Sequence, residues 1–153
     1  MDTLGAALAE HPIFRGLSTS VLGKILDCAV DERFDAGQPI FREGEEANRM
    51  YVVRRGKIAL EVFRLDPGPI TVQMLGENDV LGWSWLVPPY RWRFDARAST
   101  PSAACAIDGL WLRQECERSP RLGHEIVKRV MLVMEQRMQA MRLQFVESYC
   151  KAA

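Results

Sequence analysis

The chain has 153 residues, 48% of them hydrophobic and 26% charged, which is typical of one globular domain and not of a disordered segment. Twenty basic residues balance 20 acidic residues, so the sequence lacks the basic excess typical of domains that bind nucleic acid or an anionic membrane. The four cysteines and two histidines are too scattered for a zinc or iron–sulfur site, and no stretch is apolar enough to span a membrane. We therefore expect a cytoplasmic protein with no metal, no nucleic-acid partner and no membrane partner.

The first two parts of the chain differ in periodicity. Residues 1–28 carry apolar residues at helical intervals and predict N-terminal helices, with Ser18 as the N-cap of the second. Residues 29–107 break into short apolar runs separated by Gly, Pro and Asp, which predicts the strands of an antiparallel sandwich or barrel. Gly56 is expected to supply the positive φ of a hairpin between two strands, and residues 66–69 (Asp-Pro-Gly-Pro) a rigid loop between two others.

Residues 109–150 predict the C-terminal helices, the longer one beginning with Ser119 as N-cap and Pro120 at the first helical position. Six apolar residues in this helix are spaced alternately four and three apart, as in a coiled-coil seam: Val127, Met131, Met134, Met138, Met141 and Phe145. A helix of about 30 residues extends roughly 45 Å, more than a small sandwich needs to cover one face. We expect a homodimer through this helix, in preference to a helix packed only on its own domain, with parallel and antiparallel arrangements both open.

Three stretches of the chain resemble a known family. They are residues 14–18 (Phe-Arg-Gly-Leu-Ser), 34–45 (FDAGQPIFREGE) and 50–58 (MYVVRRGKI), with glycines at the family's separations. On these residues the chain resembles cyclic-nucleotide-binding domains of the catabolite-activator and kinase-regulatory-subunit type, over about residues 10–150. The resemblance implies one domain, residues 1–153, that is mainly β with flanking helices: a double-stranded β-helix (jelly roll) followed by a long C-terminal helix.

In that family the ligand lies in the roll against the phosphate-binding cassette, a loop with a short helix. Amides at the helix N-terminus and an arginine bind the cyclic phosphate, and a glutamate binds the ribose 2′-OH. Residues 81–98 match the cassette, with Gly82 and Leu86 in place, but Trp83 stands where the family has its glutamate and Trp92 where it has its arginine. These departures imply that cAMP and cGMP bind weakly or not at all, since losing the phosphate contact alone costs about 1.5–3 kcal/mol.

The tryptophans leave two interpretations open: they fill the old cavity, or they line an aromatic pocket for a less charged ligand. The candidate ligand-binding residues are Gly82, Trp83, Ser84, Trp85, Leu86, Trp92, Arg93 and Phe94. If Trp92 faces the cavity, strand alternation turns Arg93 away from it. A bulge at Pro88–Pro89 would reverse this and turn Arg93 inward.

We expect no catalysis and no cofactor, because the sequence has no nucleophile elbow, P-loop or dinucleotide motif, and it lacks the His/Glu ligands of a cupin-type enzyme. The chain ends at Ala153, directly after the long helix, so we expect no helix-turn-helix and no DNA contact. The expected function is a stand-alone dimeric, ligand-sensing regulatory module that acts on a partner protein through its long helix. The alternative is a ligand-independent interaction or structural subunit with the same fold.

Overall fold

A computed structural model describes the backbone of residues 3–152 and the side chains of residues 4–151. Within this range, eight strands lie between two N-terminal and two C-terminal helices. The helices are α1 (Thr3–Glu10), α2 (Thr19–Asp27), α3 (Gly109–Arg118) and α4 (Pro120–Ala152). The strands are β1 (Ala29–Phe34), β2 (Pro39–Phe41), β3 (Arg49–Arg55), β4 (Ile58–Phe63), β5 (Pro69–Leu75), β6 (Val80–Leu81), β7 (Asp95–Ala98) and β8 (Ser102–Asp108).

The strands form two antiparallel sheets with the orders β1-β8-β3-β6 and β2-β7-β4-β5. One apolar core takes side chains from both sheets, among them Tyr51 and Ala104 from the first and Leu60 and Ala96 from the second. Small residues such as Ala104 and Ala96 let the two sheets approach closely. The mainly β architecture with flanking helices is as predicted.

In the first sheet, β3 and β8 are buried on both faces, because the helices cover the side that the second sheet leaves free. Along β8, Ala104 and Ala106 belong to the core between the sheets, while Cys105 and Ile107 belong to a second core shared with the helices. This alternation follows from the period of two along a strand. The helices are thereby fixed against the roll, and α4 reaches the second core through Ile126 and Val130 among others.

The turn at Gly56 differs from its prediction. Gly56 has the expected positive φ of +87°, but β3 pairs with β6 and β8, whereas β4 pairs with β5 and β7. The turn therefore carries the chain from one sheet to the other, and the predicted hairpin is wrong. A Cβ at Gly56 would overlap Ser102 and the Pro101 carbonyl, so glycine is needed there for close approach to β8 as well. The loop at residues 66–69 does join the paired strands β4 and β5.

Two predicted serine caps are present. The Val21 N–H donates to Ser18 Oγ at 3.3 Å at the start of α2, and the Leu122 N–H donates to Ser119 Oγ at 3.4 Å at the start of α4. Every described side chain from residue 138 to residue 151 is exposed, so this part of α4, about 21 Å long, has no buried side chain. None of the helices in the described range is long and apolar enough to cross a membrane.

Candidate functional site

The cassette between β6 and β7 is built from turns. The Leu86 N–H donates to the Trp83 carbonyl at 3.0 Å, and the Val87 N–H donates to the Ser84 carbonyl at 3.3 Å. The family resemblance implied a short helix here, but the described backbone from residue 82 to residue 94 contains none. A helix N-terminus that could bind a phosphate is therefore absent from this stretch of the described chain.

Trp92 fills the centre of the cassette and is only 5% exposed. Its ring stacks on Phe41 with a centroid separation of 3.7 Å and an interplanar angle of 7°. Its backbone is fixed on both sides, because its N–H donates to the Glu45 carbonyl and its carbonyl accepts from the Gly44 N–H. Gly82 has a φ of +94°, and a Cβ there would overlap the six-membered ring of Trp92. The indole thus lies between Phe41 and the Gly82 backbone.

The cavity that remains beside Trp92 has a volume of about 20 Å³. A space of this size holds about one water molecule, so this conformation has no room for a nucleotide. Six of the eight predicted site residues line this remnant: Gly82, Trp83, Ser84, Trp92, Arg93 and Phe94. The structure therefore brings these six residues together around the remnant cavity, most of which is filled by the Trp92 side chain.

The other two predicted site residues lie elsewhere. Trp85 is fully buried in the second core, and Leu86 packs against the same core. Arg113 in α3 donates through Nη1 to the Trp85 carbonyl at 2.7 Å, and a Cβ at Gly109 would overlap the Trp85 side chain. Trp85 therefore attaches the cassette to α3 and does not line the cavity.

Trp92 lies before β7, so strand alternation does not decide how its neighbours face. Trp92 and Ala96 are buried, while the Arg93 side chain reaches the edge of the remnant cavity but is exposed. The inward rotation of Arg93 that a bulge would have caused is not seen. Arg97 is held by Glu61, whose Oε1 accepts from Arg97 Nη2 at 2.7 Å and from Nε at 2.9 Å.

Sequence reasoning missed Arg137, which reads as part of a solvated, mixed-charge helix face. Its side chain in α4 is only 7% exposed and lines the remnant cavity. Nη2 donates to the Val80 carbonyl, whereas Nη1 is buried and has no hydrogen-bond partner among the described residues. Burial lowers the pKa of this guanidinium, and the nearby Asp79 carboxylate opposes that shift. The helical spacing from Ile126 and Val130 was the signal that could have placed Arg137 inward.

A groove of about 470 Å³ lies next to the remnant cavity, between β4, β5 and α4. Its walls are mostly apolar side chains from the sheet, the cassette and the helix: Leu60, Val72, Trp83, Phe94, Met134, Met138 and Met141. Gln73, Arg137 and Arg142 supply its polar groups. The guanidinium carbon of Arg137 lies 5.7 Å from the centroid of the Trp83 ring, so these two residues connect the groove with the cassette.

Comparison with known sequences identifies the fold and the cassette. The sequence model described as "Cyclic nucleotide-binding domain" matches residues 31–119, which is more than half of the chain. The chain belongs to the cyclic nucleotide-binding domain family. The CRP-like cAMP-activated global transcriptional regulator of Mycobacterium tuberculosis is 23% identical over 121 residues, covering 79% of this chain and 54% of that protein. The chain thus spans about half the length of the curated relatives it matches.

Solved structures of this family confirm the jelly roll. A protein of Geobacter metallireducens GS-15 proposed to bind cyclic nucleotides superposes with a TM-score of 0.80 and 25% identity, covering 90% of this chain and 99% of its own. A cyclic nucleotide-binding domain from Methylobacillus flagellatus KT has a TM-score of 0.79 and 13% identity, covering 95% and 84%. The Thermus thermophilus catabolite activator protein shares the fold with a TM-score of 0.65 and 22% identity, covering 89% and 63%.

The predicted seam of this cyclic-nucleotide-binding domain lies beside the face that α4 buries against the roll. Met134 is half-buried on its own domain. The other five seam residues are between 40% and 71% exposed: Val127, Met131, Met138, Met141 and Phe145. An apolar stripe thus lies along α4 beside the intrachain contacts of Ile126 and Val130, and three of its residues, Met134, Met138 and Met141, also line the groove.

The cysteines of the domain show no activated thiol. Burial raises the pKa of Cys105 and of Cys116 to about 11, and it also raises the pKa of Cys28. A high thiol pKa keeps sulfur neutral and unreactive near pH 7. Within residues 3–152, no group of three or more His, Cys, Asp and Glu side chains is placed to hold a metal ion.

Proposed function

We propose that this chain is a regulatory module whose nucleotide cavity is filled by its own aromatic side chains, so that cAMP and cGMP bind weakly or not at all. The stacked pair of Trp92 and Phe41, with about 20 Å³ left beside it, carries this proposal. Opening the cavity would break an aromatic stack and expose the buried indole to water. A nucleotide would have to offset that loss before any binding could be measured.

The polar groups of the cassette also disfavour a cyclic nucleotide. The stretch provides turns where a helix N-terminus would stabilise the phosphate, and Trp83 offers no carboxylate for a ribose hydroxyl. Asp95, whose Oδ1 accepts from the Glu43 N–H at 2.7 Å, adds negative charge next to the cassette strand. Losing the charge-assisted phosphate contact alone corresponds to about a 10- to 100-fold loss of affinity.

Output is proposed to pass through α4 to a protein partner, and the exposed apolar seam supports a homodimer built on this helix. Contacts that join the cassette to the C-terminal helices include Trp83 with Arg137 in α4 and both Trp85 and Tyr90 with Arg113 in α3. A conformational change of the cassette would therefore alter its contacts with both α3 and α4. In this proposal the module is cytoplasmic, has no catalytic activity, and has no nucleic-acid or membrane partner.

A ligand-independent interaction or structural subunit is the second candidate function. The closed cavity favours it, because a filled roll provides a rigid support and needs no ligand to complete its core. The exposed seam of α4 would then be the docking surface. The two candidates differ in whether any small molecule changes the protein.

Calorimetry with cAMP and cGMP tests the filled cavity. The native chain should give no heat of binding at micromolar nucleotide, and the double variant Trp83→Glu/Trp92→Arg should gain binding. The variant Trp83→Gln/Trp92→Met is the matched control, since it removes both indoles without restoring either charge. Micromolar binding by the native chain would contradict the proposal. A folded Trp83→Glu/Trp92→Arg variant that still ignores both nucleotides would show that these two positions are not the cause.

A further inference from the structure

We propose that the groove between β4, β5 and α4 binds an amphipathic organic anion, whose apolar body lies against the groove walls and whose acid group pairs with Arg137. The groove adjoins the filled nucleotide cavity and shares Leu60, Trp83, Phe94 and Arg137 with it. The inference rests on the proposed function in one respect, namely that the module senses something other than a cyclic nucleotide.

The buried positive charge of Arg137 would be stabilised by an anionic partner. A buried cation is costly unless it is paired and hydrogen-bonded, and this one has the Val80 carbonyl on Nη2 and no partner on Nη1 among the described residues. Asp79 attracts it, but the two make no ion pair at salt-bridge distance. A carboxylate or sulfonate placed beside Nη1 would supply the missing acceptor.

The groove wall is electrostatically suited to an anion. Arg137 and Arg142 both line it, and no acidic side chain does so within the described residues. Arg142 is exposed and lies five residues, about 7.5 Å, further along α4, so it would meet the ligand at the solvent end. Gln73 contributes a neutral amide from β5.

The rest of the groove selects for an apolar body. Its volume of about 470 Å³ falls in the usual range for small-molecule sites of roughly 300–1,000 Å³. Trp83 and Phe94 offer aromatic faces, and three methionines can adjust to the shape of an aliphatic or aromatic group. A nucleotide fits poorly, because its sugar hydroxyls would find few polar partners along these walls.

Access to Nη1 requires a small rearrangement. The atom is closed off from solvent, although Arg137 as a residue lines the groove. Trp83 is half-buried, and its ring centroid lies 5.7 Å from the guanidinium carbon. A movement of this ring and of the flexible Met134 and Met138 side chains would admit the acid group. The bound ligand would then contact the cassette and α4 together, which couples occupancy to the position of the helix.

Calorimetry of the full chain with decanoate, and with decanol as the uncharged match, tests the site. Decanoate should bind at least about tenfold more tightly than decanol, because only the anion can pair with Arg137. Arg137→Met should abolish this preference while leaving the melting temperature equal or higher, since it removes an unpaired buried charge.

Gln73→Glu is an independent probe on the opposite wall, away from α4. It should weaken decanoate binding by about fivefold through charge repulsion and leave decanol binding unchanged. Gln114→Glu, on the exposed face of α3, is the matched control and should have no effect. Both variants keep the fold, because neither position is in a buried core.

Four results would overturn the groove proposal. The first three are equal affinity for decanoate and decanol, decanoate binding that is unaffected by Gln73→Glu, and a change of oligomeric mass in Gln73→Glu without any decanoate heat. The third result would show that the proposed dimer, whose seam shares Met134, Met138 and Met141 with the groove, covers the groove. The absence of decanoate binding together with the absence of cAMP binding overturns only the groove and favours the ligand-independent subunit. Tight cAMP binding, by contrast, overturns the proposed function itself.

Discussion

The cassette and the groove lie on two sides of Trp83. They differ in how much space the chain's own side chains leave there and in whether the buried polar groups have partners. On the cassette side, Trp92 and Phe41 stack and leave about 20 Å³. On the groove side, apolar walls enclose about 470 Å³ beside the unpaired guanidinium of Arg137. The cassette is thus filled by the chain's own side chains, whereas the groove beside it is open, and the proposals for the two regions rest on this difference.

Arg97, near the cassette, and Arg137, in the groove, differ in how their positive charge is compensated within the chain. Arg97 on β7 is paired twice with the buried carboxylate of Glu61, so its charge is compensated within the chain. Arg137 is more deeply buried, and among the described residues its Nη2 donates to the Val80 carbonyl while its Nη1 has no hydrogen-bond partner. Because a buried ion without a counterion is unfavourable, Arg137 is the position where an external anion would contribute most.

Trp92→Ala should have the largest effect on stability. Removing a buried, stacked indole leaves a cavity and should lower the free energy of unfolding by about 3–5 kcal/mol. Trp83→Ala is the matched comparison and should cost about 1–2 kcal/mol, because Trp83 is only half-buried. Urea unfolding of both variants measures the difference. If both variants lost the same free energy of unfolding, Trp92 would be packed no more tightly than Trp83. That result would contradict the difference between a filled cassette and an open groove.

Phe145→Glu should dissociate the proposed homodimer. Phe145 is 71% exposed in the single chain and lies on the seam beyond the groove, so a charge there should raise the dimer dissociation constant by about 100-fold. Gln144→Glu adds the same charge beside the seam and should leave the mass unchanged. Light scattering reports both. If the Phe145→Glu protein kept the native mass in solution, the proposed homodimer through the α4 seam would be contradicted.

Gly82→Ala should destabilise the chain by about 3 kcal/mol, because the new methyl group combines positive-φ strain with a clash against Trp92. Gly37→Ala has nearly the same φ, +85°, but an added Cβ meets no atom within 4 Å, so it should cost only about 1 kcal/mol. The difference in free energy of unfolding isolates the contact with the indole. If the two alanine variants lose the same amount, Trp92 does not fill the cassette in solution.

The smallest effect should come from pH. Burial raises the pKa of Cys105 from its ordinary value of 9.0 to about 11, so the unfolded chain loses its thiol proton first. The resulting stabilisation is present below pH 9 and is lost as pH rises towards 11, by on the order of 1–2 kcal/mol. The free energy of unfolding is measured at pH 8.5 and at pH 10.5. Its drop between these two values should be smaller in Cys105→Ala than in the native chain. The drop should be the same as in the native chain for Cys150→Ser, because Cys150 is exposed. An unaltered pH dependence in Cys105→Ala would contradict the deep burial of β8.

Much of the roll was predictable because its signals are local. Serine caps at Ser18 and Ser119 and the positive φ of Gly56 follow from backbone chemistry within a few residues. The sheet to which a strand belongs is not local, and so the turn at Gly56 was predicted as a hairpin although it joins two sheets. Strand periodicity reports which side chains alternate but not which strands pair.

The site was only partly predictable for a similar reason. The matched positions of Trp83 and Trp92 identified the altered cassette, but the sequence left the orientation of Arg93 open. The absence of a cassette helix and the attachment of Trp85 to α3 depend on tertiary packing that the sequence pattern does not report. Arg137 was missed because a charged residue on a helix is most often solvated, and its burial depends on the roll beneath it.

The most direct test of the filled cavity is nuclear magnetic resonance of the four tryptophan indole N–H groups during a titration with cAMP. Trp92 lies between Phe41 and Gly82, so its indole resonance should stay in place up to millimolar cAMP, and decanoate should shift the Trp83 resonance first. A saturating shift of the Trp92 resonance at micromolar cAMP would show that the nucleotide enters the roll, which contradicts the account.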